Sequence, residues 1–514
     1  MIPVLDSRAM RAADADAVRG GTPSDDLMES AASALVRALA RDLRNGAVAV
    51  VCGPGQNGGD GLAAARLLAL RGYRPSVFLL AAPDAYRGDA ARNLERAVGI
   101  GLVPVALTAA SGFRALGRAL SESGCVVDAL FGTGLSRPLA GSARRAAAAI
   151  NASGRPVLAA DVPSGLYADR GDAPAGAVRA RRTVAFGAPK LCHVLPPATD
   201  LCGDVEVADI GIPRSALDRR ASRVWWTEPA DVRALLPRRR VESQKGDFGR
   251  LAIVAGSRGK SGAALLSARG ALRAGAGLVT VFCAASIADA LWTALPESMT
   301  RPLPEEDGAL SAAAAAQLAR ELRAFDAAVV GPGLSTAPGA AAAVEAVLGA
   351  RIPVVADADA LNAFAGRPSR FARRRAATVL TPHPGEAGRL LSRGAGDVQA
   401  DRLASARALA RRARSVVLLK GARSLVAEPG GEVTVNPTGT PLLATAGSGD
   451  VLSGIVGALL AGGLSARDAS VAGAWLHGAA ARALADRLGD AGLLSHEVAD
   501  AVPGVRRALS AGRR

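Results

Sequence analysis

Three places in the chain set oxygen-bearing side chains beside glycines that expose backbone amides. The first is GPGQNGGDG at 53–61, where Gly53, Gly55 and Gly58 give a G-x-G-x-x-G spacing between an apolar run and a helical one. Such a turn aims N–H groups and a helix N-terminus at an anion. Plain tight turns also show this spacing, but Asn57 and Asp60 add polar groups that a packing turn does not require. The second is a pair of strand-end carboxylates. Asp128 closes CVVD ahead of the loop FGTGLSRP (131–138), and Asp161 closes VLAAD ahead of VPSG with Ser164. Either Asp alone would serve to cap its loop. Together with Asn57 and Ser164 they offer amide, carboxylate and hydroxyl oxygens that suit a hard cation such as Mg²⁺ or a monovalent ion. The third is ATAGSGDVLSG, where Gly447, Gly449 and a helix start build an anion hole, and Asp450 stands where a phosphoryl acceptor would lie. That arrangement suits nucleotide-dependent phosphoryl transfer with Asp450 as the base, and the helix end is expected to keep Asp450 ionised. His383, between Pro382 and Pro384, reads either as a site residue or as a loop histidine satisfied by backbone.

These groups need a sheet to position them. From Ala47, apolar runs at 47–53, 75–80, 102–107, 125–132 and 156–165 read as strands, with helices near 61–72, 88–98, 112–122 and 141–152. The runs are continuous rather than alternating, which implies burial on both faces and hence a parallel, doubly wound sheet. In such sheets ligands bind outside the carboxyl ends of the strands, so Asn57, Asp128, Asp161 and Ser164 are expected to share one crevice. Two helices, 7–20 and 24–43, precede the series. After a charged, Pro-containing stretch the pattern restarts, with strands at 250–257, 277–283, 327–333, 353–361, 377–386 and 415–421. The expectation is an α/β protein of two domains, residues 1–215 and 228–514.

Composition narrows the function. The chain has 514 residues and a formal charge of +16, but the excess is spread over both halves. Only 4 Trp, 3 Tyr and 9 Phe occur, without the arginine interleaving that a base-stacking surface needs, so no nucleic-acid partner is expected. No apolar run reaches the roughly 18 to 20 residues that span a bilayer, and Met1–Arg8 lacks a signal-peptide start, so the chain reads as cytoplasmic with no membrane partner. The five cysteines form no C-x-x-C pair, which argues against a disulfide framework or a zinc site. Among 62 basic residues only Lys190, Lys245, Lys260 and Lys420 are lysines. A lysine retained in so arginine-rich a chain hints at a position that a guanidinium does not fill.

The motifs also carry a resemblance. GPGQNGGDG, VDALFGTGL, DVPSG, FGAPK with Lys190, and LMESA at 27–31 resemble the NAD(P)H-hydrate epimerase family over about residues 1–215. KGDFGRLAIVAGS, AVVGPGLS, DADALN, TPHPGE, LLKGARS and the GSGD segment resemble the ADP-dependent NAD(P)H-hydrate dehydratase family, of the ribokinase-like superfamily, over about 230–510. The resemblance implies an N-terminal Rossmann-like domain and a C-terminal ribokinase-like domain. In the first, Asn57, Asp128 and Ser164 would bind K⁺. Gln56, Asn57, Gly58, Gly59 and Asp60, with Gly132, Thr133, Gly134, Leu135, Ser136, Arg137, Pro138 and Asp161, would hold the hydrated nucleotide, and Asp161 would be catalytic. In the second, Ala263, Gly333, His383 and Asp450 would contact the hydrate, with Asp450 catalytic, while Lys420, Gly421, Ala422, Arg423, Ser424 and Gly449 would contact the nucleotide. Substrates would be NADHX, NADPHX and ADP, with Mg²⁺ at the second site, and a homo-oligomer is expected. Gln56 stands where the family usually has Asn, and Ser335 replaces a Gly common after GPGL. The competing expectation is a small-molecule kinase of the hydroxymethylpyrimidine or thiazole type, which shares the GSGD site, with an accessory N-terminal binding domain.

Overall fold

The computed structural model describes residues 1–43, 46–219 and 222–511. Residues 220 and 221, inside the expected joint, and 512–514, at the end of the expected second domain, lie outside the described residues. The contacts divide the chain into two units, Ile2–Val224 and one that starts at Trp225 and also takes in Met1.

In the first unit the strands are β1 (Ala47–Cys52), β2 (Arg74–Leu79), β3 (Val105–Ala106), β4 (Cys125–Ala129), β5 (Val157–Ala160), β6 (Arg182–Phe186) and β7 (Asp204–Ala208). They form one parallel sheet in the order β3-β2-β1-β4-β5-β6-β7. The order reverses between β1 and β4, which opens a crevice at the carboxyl ends of those strands. Residues of β1 and β4 such as Val51 and Val126 are buried, in keeping with the continuous apolar runs. Two differences from the sequence reading stand out. GPGQNGGDG is not a free loop, because the helix α3 (Gln56–Leu70) already begins at Gln56; α1 (Ser7–Arg19) and α2 (Ser24–Asp42) precede it. Strands β6 and β7 extend the sheet where no strand was expected, since RTVAF and DVEVA are short and carry charged or polar residues at their starts. The early start of α3 depends on glycine. A Cβ on Gly58 would lie 1.7 Å from the Gly53 carbonyl oxygen, so the turn closes only without a side chain there.

The second unit holds β8 (Arg250–Val254), β9 (Leu278–Ala284), β10 (Met299–Leu303), β11 (Ala327–Val330), β12 (Val354–Ala356), β13 (Thr378–Leu380), β14 (Val416–Leu419), β15 (Leu425–Ala427) and β16 (Val433–Val435). Their order is β16-β15-β14-β13-β12-β11-β8-β9-β10, parallel from β14 to β10 and antiparallel through β14, β15 and β16. The sequence reading lacked β10, β15 and β16: β10 is interrupted by Arg301 and Pro302, and β15 and β16 are three-residue strands added antiparallel after β14. Helices Ser261–Ala274 and Ser448–Ala461 meet backbone to backbone. A Cβ on Gly454 would sit 1.9 Å from the Ser267 carbonyl oxygen, and one on Gly270 would sit 2.5 Å from that of Val451. This contact fixes the helix whose first turn holds Asp450.

All five cysteines are buried. No helix among the described residues is long and apolar enough to cross a membrane.

Candidate active sites

In the first unit a cavity of about 660 Å³ opens over the carboxyl ends of β1, β4 and β5 and is walled by α1, α2 and the start of α3. Gln56, Asn57, Asp60, Gly132, Thr133, Gly134, Leu135 and Asp161 all line it. Ser136, Arg137 and Pro138 continue the loop beyond the lining. Gly58 and Gly59 are buried against Gly53 and Met28, so their role is to let α3 dock.

Asp161 sits at φ +60°, a left-handed conformation that turns its carboxylate back over the sheet. Its Oδ1 accepts from the Phe186 N–H at 3.0 Å and from Lys190 Nζ, which also donates to the Phe186 carbonyl at 2.9 Å. Lys190 is fully buried, so this is a desolvated ion pair. Asp60 is buried, and its carboxyl is pushed well up by that burial and then by Asp161 and Asp14, against the pull of Lys190. Asp14, on α1, is raised to about 6 by burial, with Lys190 lowering and Asp161 raising it.

Beneath the cavity, Asp128 accepts from the Ser164 N–H at 2.8 Å, the Ser164 hydroxyl at 2.7 Å and the Leu130 N–H at 3.3 Å. Burial lifts it to about 6 against the pull of those bonds. Ser164 Oγ also accepts from the Phe131 N–H at 2.9 Å and lies 3.3 Å from the Phe131 carbonyl. Asn57 Oδ1 and Asp161 Oδ2 both face Gly132, 3.0 and 3.4 Å from where a Cβ would stand, and Asn57 Nδ2 is buried without a partner. The structure thus brings Asn57, Asp128, Asp161 and Ser164 to one end of one sheet. Sequence reasoning missed Asp14. Its only signal was its position on a helix whose Met10, Ala13 and Ala17 face inward.

In the second unit the strand ends again carry the polar groups. Lys420, just past β14, donates from Nζ to Asp357 Oδ1 at 2.8 Å and lies 3.8 Å from Glu386. Burial alone would lower Lys420, but Asp357, Glu386 and Asp450 raise it overall. Asp450, in the first turn of Ser448–Ala461, is raised to about 7 by burial, then by Asp357, with Lys420 pulling the other way. This corrects the expectation that the helix end keeps Asp450 ionised: desolvation and the facing carboxylates outweigh a terminal dipole that acts over a single turn. The Lys420 ammonium faces Gly449, whose added Cβ would stand 3.2 Å from it. Gly333, at φ +61°, packs on Ala263 and the Lys260 carbonyl, and the Ser257 hydroxyl donates to the Gly333 carbonyl at 2.8 Å.

His383 is the N-cap of Pro384–Leu391. Its Nδ1 accepts from the Gly385 N–H at 3.0 Å, while Glu386 accepts from the His383 N–H at 2.8 Å. The two readings of His383 are therefore compatible, since capping occupies Nδ1 while Nε2, with its proton, lies 3.5 Å from Glu386 Oε1 on a half-exposed ring. The segment 420–424 is held from below by buried Arg402, which donates to the Lys420 carbonyl at 3.3 Å and against which Gly421 packs. Ser424 donates to the Gly421 carbonyl, and the Arg423 guanidinium lies 5.3 Å over the Trp226 ring, while Gly421 and Ala422 are exposed. Ser335, the departure in the GPGL loop, takes the left-handed φ of +78° that a glycine would favour. Its N–H donates to Asp359 at 2.8 Å, so the loop keeps its shape. Asp357 and Glu386 were missed as site residues although DADALN and TPHPGE contain them.

The folds and sites define an α/β enzyme of two units, with a carboxylate-lined crevice on a Rossmann-like sheet and a lysine–carboxylate cluster beside a glycine-rich helix start on a ribokinase-like one. Residues 251–504 match the NAD(P)H-hydrate dehydratase family, and residues 24–192 match the family described as YjeF-related protein N-terminus. A bifunctional NAD(P)H-hydrate repair enzyme of Moorella thermoacetica is 42% identical, covering 95% of this chain and 93% of its own, and one of Escherichia coli K12 is 36% identical over 87% and 83%. The crystal structure of an ADP/ATP-dependent NAD(P)H-hydrate dehydratase from Bacillus subtilis, co-crystallised with ATP and Mg²⁺, is 33% identical with a TM-score of 0.51, covering 56% of this chain and 100% of that one. The chain belongs to the bifunctional NAD(P)H-hydrate repair enzymes, joining an epimerase domain to a dehydratase domain.

Lys190→Met leaves Asp161 buried without its cation and beside two further carboxylates. Removing one partner of a buried pair costs about 3–5 kcal/mol, and the expected loss here is about 3 kcal/mol because the pair borders a cavity. Denaturant unfolding of the variant checks this.

Proposed function

We propose that the N-terminal domain interconverts the R and S forms of NADHX and NADPHX, and that the C-terminal domain dehydrates the S form to NADH and NADPH while ADP becomes AMP and phosphate. The observation that carries this reading is a similarity running through both domains at once.

In the first site, the turn at 56–60 and the loop at 132–138 hold the nucleotide over Asp161. Asp161 moves the proton that accompanies loss or return of the hydroxyl oxygen, and Lys190 stabilises the carboxylate. Asn57 Oδ1, which faces Gly132, and Asp128 and Ser164 Oγ, which are hydrogen-bonded to each other with Ser164 Oγ held by the neighbouring Phe131 N–H, are hard oxygen donors of the kind that fits K⁺. When bound, the ion supplies a fixed positive charge next to an anionic substrate.

In the second site, Ala263, Gly333 and His383 contact the hydrate, and Lys420–Ser424 with Gly449 contact the nucleotide. No group of three or more His, Cys, Asp or Glu among the described residues is placed to hold a metal, which fits Mg²⁺ carried mainly by nucleotide phosphates and water. The ion offsets phosphate charge. Asp450 takes the proton from the hydrate's hydroxyl as that oxygen bonds the β-phosphorus and the bond to AMP breaks. Phosphate then departs with the C–O electron pair, the ring nitrogen lone pair compensates, and loss of a proton from the neighbouring carbon gives the reduced nicotinamide. A base near pH 7 is well matched to this task.

The direct test incubates the protein with mixed R and S NADHX, ADP and Mg²⁺ and follows NADH absorbance. Full recovery is expected, whereas recovery of only the S half would leave the epimerase reading unsupported. In that assay Asp161→Ala abolishes use of the R epimer and leaves S dehydration nearly intact; equal loss of both would sink the two-site reading. Replacing K⁺ by a large organic cation slows epimerisation and spares dehydration; an unchanged epimerisation rate would refute the ion site. Asp450→Asn lowers dehydration by at least about 10², the lower end for general-base catalysis, with ADP binding little changed. Since the carboxylate is the active form, wild-type turnover rises as pH passes upward through about 7, and a pH–rate series on the variant lacks that limb.

A further inference from the structure

The epimerase cavity holds one carboxylate that the scheme above does not use. Asp14 reaches it from α1, a different wall from the strand end that carries Asp161. The helix is firmly placed. Its Asp6 cap accepts from the Ala9 N–H at 2.6 Å, the Ser7 hydroxyl donates to Asp169 at 2.6 Å, and the Leu5 N–H donates to the Pro189 carbonyl at 2.9 Å, next to Lys190. Met10, one turn before Asp14, packs over Gly187. Asp14 is half-buried, and among the described residues its carboxylate makes no hydrogen bond or ion pair; Asp161, in contrast, is tied to Lys190 and Phe186. The charged groups facing Asp14 are Lys190 and Asp161 from the strand ends and Asp60 from α3, with Arg11 lining the cavity from its own helix and Asp89, paired with Arg92, from the helix Gly88–Gly99. On the other side of α1, Asp16 pairs with Arg19 and Arg219, while Arg214 and Asp218 pair with each other.

Resting on the epimerase reading, we propose that Asp14 is a second catalytic residue of that site, the acid that works across the bound ring from the Asp161 base. Inverting one carbon requires groups on both of its faces. Asp14, protonated, gives its proton to the departing hydroxyl, and the C–O pair leaves with water as the ring nitrogen lone pair forms the C=N bond. A second water adds to the other face, and its proton goes to Asp161. One water leaves and one enters, and no electrons change hands overall. In the reverse direction the two carboxyls exchange roles. A carboxyl free of hydrogen bonds and partly withdrawn from water in the cavity wall holds its proton to higher pH than an exposed one does, as an acid partner needs.

The test uses the full-length protein and isolated R-NADHX in H₂¹⁸O, with S dehydration as the control for folding. Asp14→Asn lowers kcat for the R epimer by about 10² to 10⁴ with KM little changed. S dehydration stays at the wild-type rate and Tm is equal or higher, since the substitution removes a carboxylate that burial disfavours. Asp14→Glu recovers part of the rate, and the wild-type product carries solvent oxygen. A wild-type rate in Asp14→Asn, a loss confined to KM, or retention of the original oxygen would overturn the proposal. If wild-type protein itself fails to use the R epimer, the epimerase reading falls. If Asp161→Ala is inactive while Asp14→Asn is not, only the role of Asp14 falls.

Discussion

Each domain gathers three acidic side chains around one lysine, fully buried at Lys190 and partly buried at Lys420. Lys190 stands among Asp14, Asp60 and Asp161, and Lys420 among Asp357, Glu386 and Asp450. Both clusters sit in a poorly solvated space, and burial is the main cause that raises Asp14 and Asp450. It holds Asp450 near 7, helped by Asp357 and opposed by Lys420, and Asp14 near 6, opposed by Lys190, which is the range in which proton transfer is efficient. A lysine suits both places because a compact ammonium fits between carboxylates where a planar guanidinium would demand paired, coplanar acceptors. In a chain with four lysines, two are spent on this one arrangement.

The sheets supply the rest. At the crevice of the first sheet, backbone amides from the glycine turns meet side chains from separate strands, so each group is held by a different rigid element. In the second domain the close contact of Gly270 with Val451 and of Gly454 with Ser267 locks the helix that carries Asp450. An anion hole held in this way needs no rearrangement when charge develops on the transferred group.

Much of this was legible in the sequence. Asn57, Asp128, Asp161, Ser164 and Asp450 each follow a strand or open a helix beside glycines, and local pattern finds such residues. What pattern does not find is what arrives from elsewhere. Asp14 lies on a helix outside the sheet, and its role depends on where α1 docks over Gly187 and Lys190. Asp357 and Glu386 lie inside motifs that were recognised, but their pairing with Lys420 joins residues more than thirty positions apart. The ionisation of Asp450 was misjudged for the same reason, because the carboxylates that face it come from other strand ends. The missed strands β6, β7, β10, β15 and β16 are short or partly charged, and neighbouring strands rather than their own periodicity make them strands.

The burial of every cysteine gives the molecule a set of built-in clocks. Cys52, Cys125, Cys192 and Cys202 lie in the first domain and Cys283 in the second, all beyond the reach of solvent. Burial raises Cys283 to about 12 and pushes Cys52 and Cys192 well up, so these three thiols are poor nucleophiles. An alkylating reagent can therefore react only when a domain opens, and its rate at each thiol measures how often that opening occurs. The domains thus carry separate labels, and their breathing can be timed one against the other in a single chain without adding a foreign probe.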